Sequence, residues 1–279
     1  MNKSMKIIIV IGIVFILCGG IFFGAAYAFG ERYIDSKTED RSEIFKLSSI
    51  EKLDIRDSVA NINFLKNNNG DEILVEAKNV ISDELTCESS GNTLKISYNP
   101  RAVKFGFISF PSWIFNWNTK IPEINIYIPE SKIFDDVYIG GGVGTTQIEI
   151  LNTKYLTLSG GVGNVKAKNI VTENLRIDGR VGTTDIDAVI NGETKIGGGV
   201  GTIKISGEAD GDMTINGGVG TITLNLSGDM NEYSFNVNRG LGSIKFNGNE
   251  IGDNPSRTTG GKYNVKIDGG VGDMNITIK

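Results

Sequence analysis

The stretch GGGVGTTQIEI, residues 140–150, has the glycine density of a phosphate-gripping loop, yet an alternating run follows it where such a loop would open a helix. Whether these glycines hold a ligand or turn the chain decides the fold. The rest of the sequence answers by repetition. Val143, Val162, Val181, Val200 and Val219 each precede a glycine and stand nineteen residues apart, and Leu241 and Val271 continue the series at longer gaps. A fixed period of this size means stacked structural units.

Apolar residues recur at fixed offsets from each of these positions. Three and five residues on lie Val165 and Ala167, Ile203 and Ile205, Ile222 and Leu224, Ile244 and Phe246, and Met274 and Ile276. Six and four residues before lie Val137 and Ile139, Leu156 and Leu158, Leu175 and Ile177, Met213 and Ile215, Phe235 and Val237, and Val265 and Ile267. The period is two, so each repeat predicts two short strands. Two strands per nineteen residues describe the rung of an all-β solenoid, each strand bonding to its copies above and below at roughly 4.8 Å.

LDIRDSVANINF, residues 53–64, repeats the offsets around Val59, with Ala60 in place of glycine, and predicts a degenerate first rung. EILVEAKNV, NTLKISYN and EINIYIPE add alternating strands before the regular array. Residues 247–262 are expected to bulge from one turn as a loop.

The glycine after each valine or leucine recurs as Gly144, Gly163, Gly182, Gly201, Gly220, Gly242 and Gly272. Stacked turns press backbone on backbone, so these corners need positive φ or no side chain. A nucleotide site would need a helix after the glycines. A calcium-binding nonapeptide array would need Asp in a column that instead reads Thr146, Val165, Thr184, Ile203, Ile222, Ile244 and Met274. Glu149, Asp185 and Asp187 are the candidates for a glycan-cleaving carboxylate pair. Their offsets read more simply as charge ladders, with Asp185 between Lys166 and Lys204 and Lys168 between Glu149 and Asp187. The chain has no histidine, which removes Ser-His and Cys-His nucleophiles and His-ligated metals. Cys87, in ELTCESS, has no evident activating partner. No catalytic residue, cofactor or metal is expected.

Lys3 and Lys6 precede an uncharged, mostly apolar run from Ile7 to Gly30, long enough to span a bilayer. Residues 1–30 therefore read as an N-terminal transmembrane helix, with the N-terminus cytoplasmic and a domain outside. Cleavage near Ala28, after Ala26-Tyr27-Ala28, is the alternative and would give a secreted domain. Cys18 lacks the small preceding residue of a lipobox and reads as a membrane-buried thiol. Residues 31–45 read as a linker and 46–279 as the exported solenoid. All 33 acidic residues but only 26 of the 28 basic ones follow residue 30, leaving a net charge of −7 that disfavours nucleic acid and anionic lipid as main partners. Cys87 is the single cysteine of the exported part, so the core and not a disulfide must hold it.

The rhythm breaks at residues 101–120. KFGFISFPSWIFNWNTKIPE holds six aromatics, including both tryptophans. It reads either as a cap over an exposed core or as a ligand or membrane-interface patch of Phe110, Trp113, Phe115 and Trp117. The chain stops at Lys279 directly after a strand, so an open C-terminal rung is expected to allow homotypic association.

IEKLDIRDSVANINF, EINIYIPES and the serial rungs LSGGVGNVKAKNI and INGGVGTITLNLSG together resemble the bacterial β-strand-repeat proteins classed as candidate adhesins, a domain of unknown function found beside envelope-stress membrane proteins. The resemblance covers about residues 46–279. It implies a single-pass envelope protein with a solenoid domain and no catalytic residues. The function expected is a non-enzymatic, membrane-anchored surface solenoid for adhesion or envelope contacts with lipid, cell-wall glycan or a membrane protein. The alternative is an envelope-stress sensory or regulatory subunit acting through a membrane partner.

Overall fold

The computed structural model describes residues 38–57, 59–68, 70–99, 102–105, 108–111, 120–250, 256–257 and 260–279. The expected membrane segment, Cys18 and the Ala26–Ala28 site lie outside the described residues. No helix among the described residues is long and apolar enough to cross a membrane.

Parallel pairing repeats at the expected period. Val143 stacks on Val162, Val162 on Val181, Val181 on Val200 and Val200 on Val219, each with its following glycine beside the next. The fold is all-β and solenoid-like, and the aliphatic columns at the predicted offsets form one continuous core. Burying each large aliphatic side chain contributes on the order of 1.5–3 kcal/mol.

A rung, however, has three sides and not two strands. Around Val162 the inward pairs are Val165 and Ala167, then Ile170 and Thr172, then Leu175 and Ile177. Alternation slips at the corners, where Lys168 and Asn169 are both exposed and where Glu173 is followed by half-buried Asn174. Asn169 takes a left-handed conformation, φ 50°, and its amide donates to Glu149 O at 3.0 Å in the rung below. The middle side hides from an apolar pattern because its second inward position holds threonine in two rungs, before Ile190 and Ala209 take the same column. Thr153 and Thr172 are buried, and their hydroxyls donate across the next corner to Tyr155 O at 3.1 Å and Asn174 O at 2.9 Å. A buried hydroxyl is tolerated there because a corner carbonyl takes its proton.

Both ends of the stack depart from chain order. Leu53, Ile55, Ile62 and Phe64 are buried and in register beneath Val137, Ile139, Thr146 and Ile148, as expected of a degenerate rung. It is not the outermost one. Strands Thr93–Tyr98 and Glu123–Pro129 pair in parallel on its far side. Glu72–Val80 and Leu85–Ser90 then run antiparallel to these strands and end the parallel stack. Part of the expected linker is itself a strand, because Glu39–Lys46 covers the otherwise open edge of Glu72–Val80 and packs Phe45 against the core.

At the other end, strand Val271–Ile278 pairs with Val219–Ser227 on one side and with Ile244–Phe246 on the other. The open C-terminal rung expected from the sequence is therefore an interior rung, filled on both edges. The outermost rung is Tyr233–Asn238 with Ile244–Phe246. Residues 247–262 do not simply bulge: Asn249–Glu250 and Ser256–Arg257 fold back antiparallel onto these two strands. Aromatic rings close this end of the core, with Phe235 edge-on to Phe246 at 4.6 Å and Tyr233 5.6 Å from Tyr263.

Candidate functional site

At the first corner of each rung the backbones touch. A Cβ on Gly201 would lie 2.0 Å from Gly182 O, and Gly201 adopts φ +135°, so both the space and the conformation demand glycine. The close approach holds at Gly144, Gly163, Gly182, Gly220, Gly242 and Gly272, where a Cβ would meet a neighbouring carbonyl oxygen at 2.1 Å or less, and the positive φ at Gly163, Gly182, Gly220 and Gly272. Ala60 fits the same column because the rung beyond it carries residues 99–122 in place of a glycine corner.

These glycines leave no chamber for a nucleotide. The space behind the corner, between Arg180, Thr184, Ile203 and the glycine backbones, is about 20 Å³, room for about one water. Arg180 stands where the other rungs carry glycine before the valine, and burial lowers its pKa. Its Nε has no hydrogen-bond partner among the described residues.

The turn also decides where the valines go. Instead of joining the core, Val143, Val162, Val181, Val200, Val219, Val271 and Leu241 all face solvent, in that spatial order along one edge. Val200 is 52% exposed and Leu241 77%. Neighbours one rung away, at roughly 4.8 Å, cover the rest of each side chain. A contiguous exposed aliphatic row is uncommon on a soluble surface. The sequence located these residues through their period but not their direction, because valine by type reads as core.

The aromatic insert attaches to the same edge. Tyr98 pairs with Asp57 and Glu123 with Asn61, so residues 99–122 replace the corner that Asp57–Asn61 makes in the adjacent rung. Within the insert, Ala102–Phe105 and Ile108–Pro111 form an antiparallel hairpin. The side chains of Phe110, Trp113, Phe115 and Trp117 lie outside the described residues.

The outward charges behave as ladders, in part. Asp185 is in register with Lys166 and Lys204, and it pairs with Lys204 at 3.6 Å. Asp187 faces Ser206, and a bulge between Ala167 and Ile170 removes it from register with Lys168. Glu149 lies by sequence on another rung from both aspartates, so the three do not form a facing pair. No group of three potential ligands that could hold a metal occurs among the described residues. Cys87 is buried, and burial pushes its thiol up to about 12, which removes the thiolate a nucleophile requires.

Stacked glycine corners, parallel aliphatic columns and folded-back ends define a capped β-solenoid of the repeat type. The chain belongs to the Toastrack family, DUF4097, whose model matches residues 50–277. No curated protein matches it. Among solved structures it is similar to a candidate cell adhesion protein from Clostridium sporogenes, at 20% identity over 87% of this chain and 100% of that one, with a TM-score of 0.40. It is similar also to a candidate adhesin from Bacteroides fragilis, at 16% identity over 86% and 98% of the two chains, with a TM-score of 0.43. A third, a candidate lipid binding protein from Parabacteroides distasonis, is 15% identical over 85% and 96%, with a TM-score of 0.38. Likeness at this level carries no ligand and no residue role to this chain.

Proposed function

We propose that the protein is a non-enzymatic surface module, held in the membrane by residues 7–30 with its N-terminus cytoplasmic, that presents a rigid solenoid for adhesion or envelope contacts. The observation that supports this most directly is the row of seven solvent-facing aliphatic side chains from Val143 to Leu241. A folded chain keeps such a row exposed when something else covers it. The backbone of the edge is locked by pairing on both sides, so the row is a preformed surface that loses little entropy on contact.

The test uses bacteria producing the full chain. External protease is expected to digest the solenoid in intact cells. Asp substituted together at Val162, Val200 and Val219 is expected to abolish envelope or cell contacts while leaving the circular dichroism spectrum unchanged. A solenoid protected in intact cells would overturn the exported placement, and contacts indifferent to the triple variant would overturn the role of the edge.

The attachment of both tryptophan-bearing residues 99–122 and the aliphatic row to one edge favours a second reading: a sensory subunit whose edge reports on the lipid phase to a membrane partner. Co-purification of a membrane protein that depends on residues 1–30 would distinguish it.

A further inference from the structure

We propose that the glycine-valine edge lies against the lipid bilayer, so that the stack runs parallel to the membrane instead of standing on it. This rests on the anchored reading above and names the partner of the same edge.

The chemistry of the strip suits a lipid surface. The residue on either side of each of the seven aliphatics is glycine, except Arg180. Arg180 is buried, and Arg239, two residues before Leu241, is engaged with Gly242 O and Glu250. Asp273, two residues past Val271, is exposed and accepts from Ser243, and the seven aliphatic positions themselves form an uncharged line on a domain of net charge −7. The line is continuous because each member is in register with the next, so it offers one extended apolar surface and not scattered contacts.

The position of the tether supplies the second argument. Glu39, where the described chain begins its first strand, pairs with Val80. The register then runs from Arg41 to Ala77, from Ala77 to Ile124, and from Ile124 to Ile62, two residues past the corner position Ala60. The segment leading from the apolar run thus joins the solenoid on the glycine-valine edge. Eight residues separate Gly30 from Glu39, nine steps with a reach of at most roughly 32 Å. Residues 99–122, with both tryptophans, leave and rejoin one strand from Ala60 on this same edge. The start of the first described strand, the two points where residues 99–122 attach and the aliphatic row therefore share one edge.

An upright arrangement makes a different prediction. Ten strand spacings separate Glu39–Lys46 from Ile244–Phe246 along this side, so Leu241 would stand roughly 48 Å above the tether. A lying stack brings Val162 and Leu241 to the bilayer alike. A shallow aliphatic row binds lipid weakly by itself. The tether replaces bimolecular binding by a local encounter at high effective concentration, so the contact belongs to the anchored chain.

The experiment uses the full chain carrying Cys18→Ala, with Cys87 left in place because it is buried. Single cysteines at Val162, Val219 and Leu241 receive an environment-sensitive fluorophore. The control is Tyr155→Cys at the far corner of the rung, where the native side chain is 54% exposed. The protein is reconstituted in phosphatidylcholine vesicles containing a quencher lipid. Quenching at the three edge positions is expected to agree closely and to exceed that at 155 at least twofold. Quenching that falls steadily from 162 to 241 would mean an upright stack and would overturn the proposal. Edge labels no more quenched than 155 would overturn it too. A blue shift that appears only at high protein density, without lipid quenching, would assign the edge to a second copy. A chain that fails to float with the vesicles would refute the anchored reading itself, separately from the orientation.

Discussion

Gly272 lies against Gly220: a Cβ on Gly272 would stand 1.9 Å from Gly220 O. The C-terminal strand is therefore an inner course of the stack, inserted between Val219–Ser227 and Ile244–Phe246. Ending the chain at residue 270 removes buried Met274, Ile276 and Ile278 and deprives both neighbours of their partner. The expected loss exceeds about 5 kcal/mol. Thermal unfolding followed by circular dichroism checks it; a melting temperature lowered by only a degree or two would contradict the placement.

The glycine corners predict a sharp contrast between two superficially equal changes. Gly201→Ala forces a Cβ onto Gly182 O at 2.0 Å in a positive-φ residue, whereas a Cβ at Gly70 meets nothing within 4 Å. The first is expected to cost more than about 3 kcal/mol and the second less than about 0.5 kcal/mol. Chemical denaturation of the two variants measures the difference directly.

The buried threonines predict opposite signs. Thr194 Oγ1 is buried with no hydrogen-bond partner among the described residues, while Thr172 Oγ1 donates to Asn174 O at 2.9 Å. Thr194→Val removes an unpaired hydroxyl and should stabilise by about 1 kcal/mol. Thr172→Val strands a carbonyl and should destabilise by about the same amount. Equal shifts in the two midpoints would show that the hydroxyls are not the cause.

Alkaline pH should weaken the fold through two buried groups. Burial raises the Cys87 thiol to about 12, and burial, followed by the charges of Asp210 and Glu232, raises the Tyr233 hydroxyl to about 12, where it donates to Ala209 O at 2.6 Å. The native state then holds protons that the unfolded state releases. The contribution is complete below about pH 8.5 for the thiol and about pH 10 for the phenol, and it is lost as pH rises toward 12, at up to about 1.4 kcal/mol per pH unit for each group. Stability measured between pH 7.5 and 11 should fall, and Cys87→Ala should make the fall shallower. Native Cys87 should also resist alkylation until denaturant is added.

The all-β solenoid was legible because Val-Gly spacing and the Val165/Ala167 and Leu175/Ile177 type of pair report period and alternation together. The third side was not, because Thr153, Thr172 and Gly207 occupy positions where an apolar residue would have revealed it. The ladder at Asp185 and Lys204 followed from offset alone. Its partner at Asp187 failed because a bulge at Ala167–Ile170 shifts register without any strong local signal. The strand order at either end was not legible, since the strands there leave the nineteen-residue period and their pairings skip along the chain, as where Glu72–Val80 joins Glu123–Pro129 and Ser256–Arg257 joins Tyr233–Asn238. The direction of the valines was hidden for a different reason: the glycine that follows them rotates the chain, and residue type does not record rotation.

The folded-back strands that cap both ends of the repeat array constrain how such proteins can change length. A new unit added at either end of the array would meet an occupied edge, since Leu53–Ile55 is already covered by Leu94–Ile96 and Met274–Ile276 by Ile244–Phe246. A copy of nineteen residues inserted between Val162 and Val219 would instead find an identical edge above and below. Longer relatives of this chain should have grown from the middle, by internal duplication, with the two folded-back ends carried along unaltered.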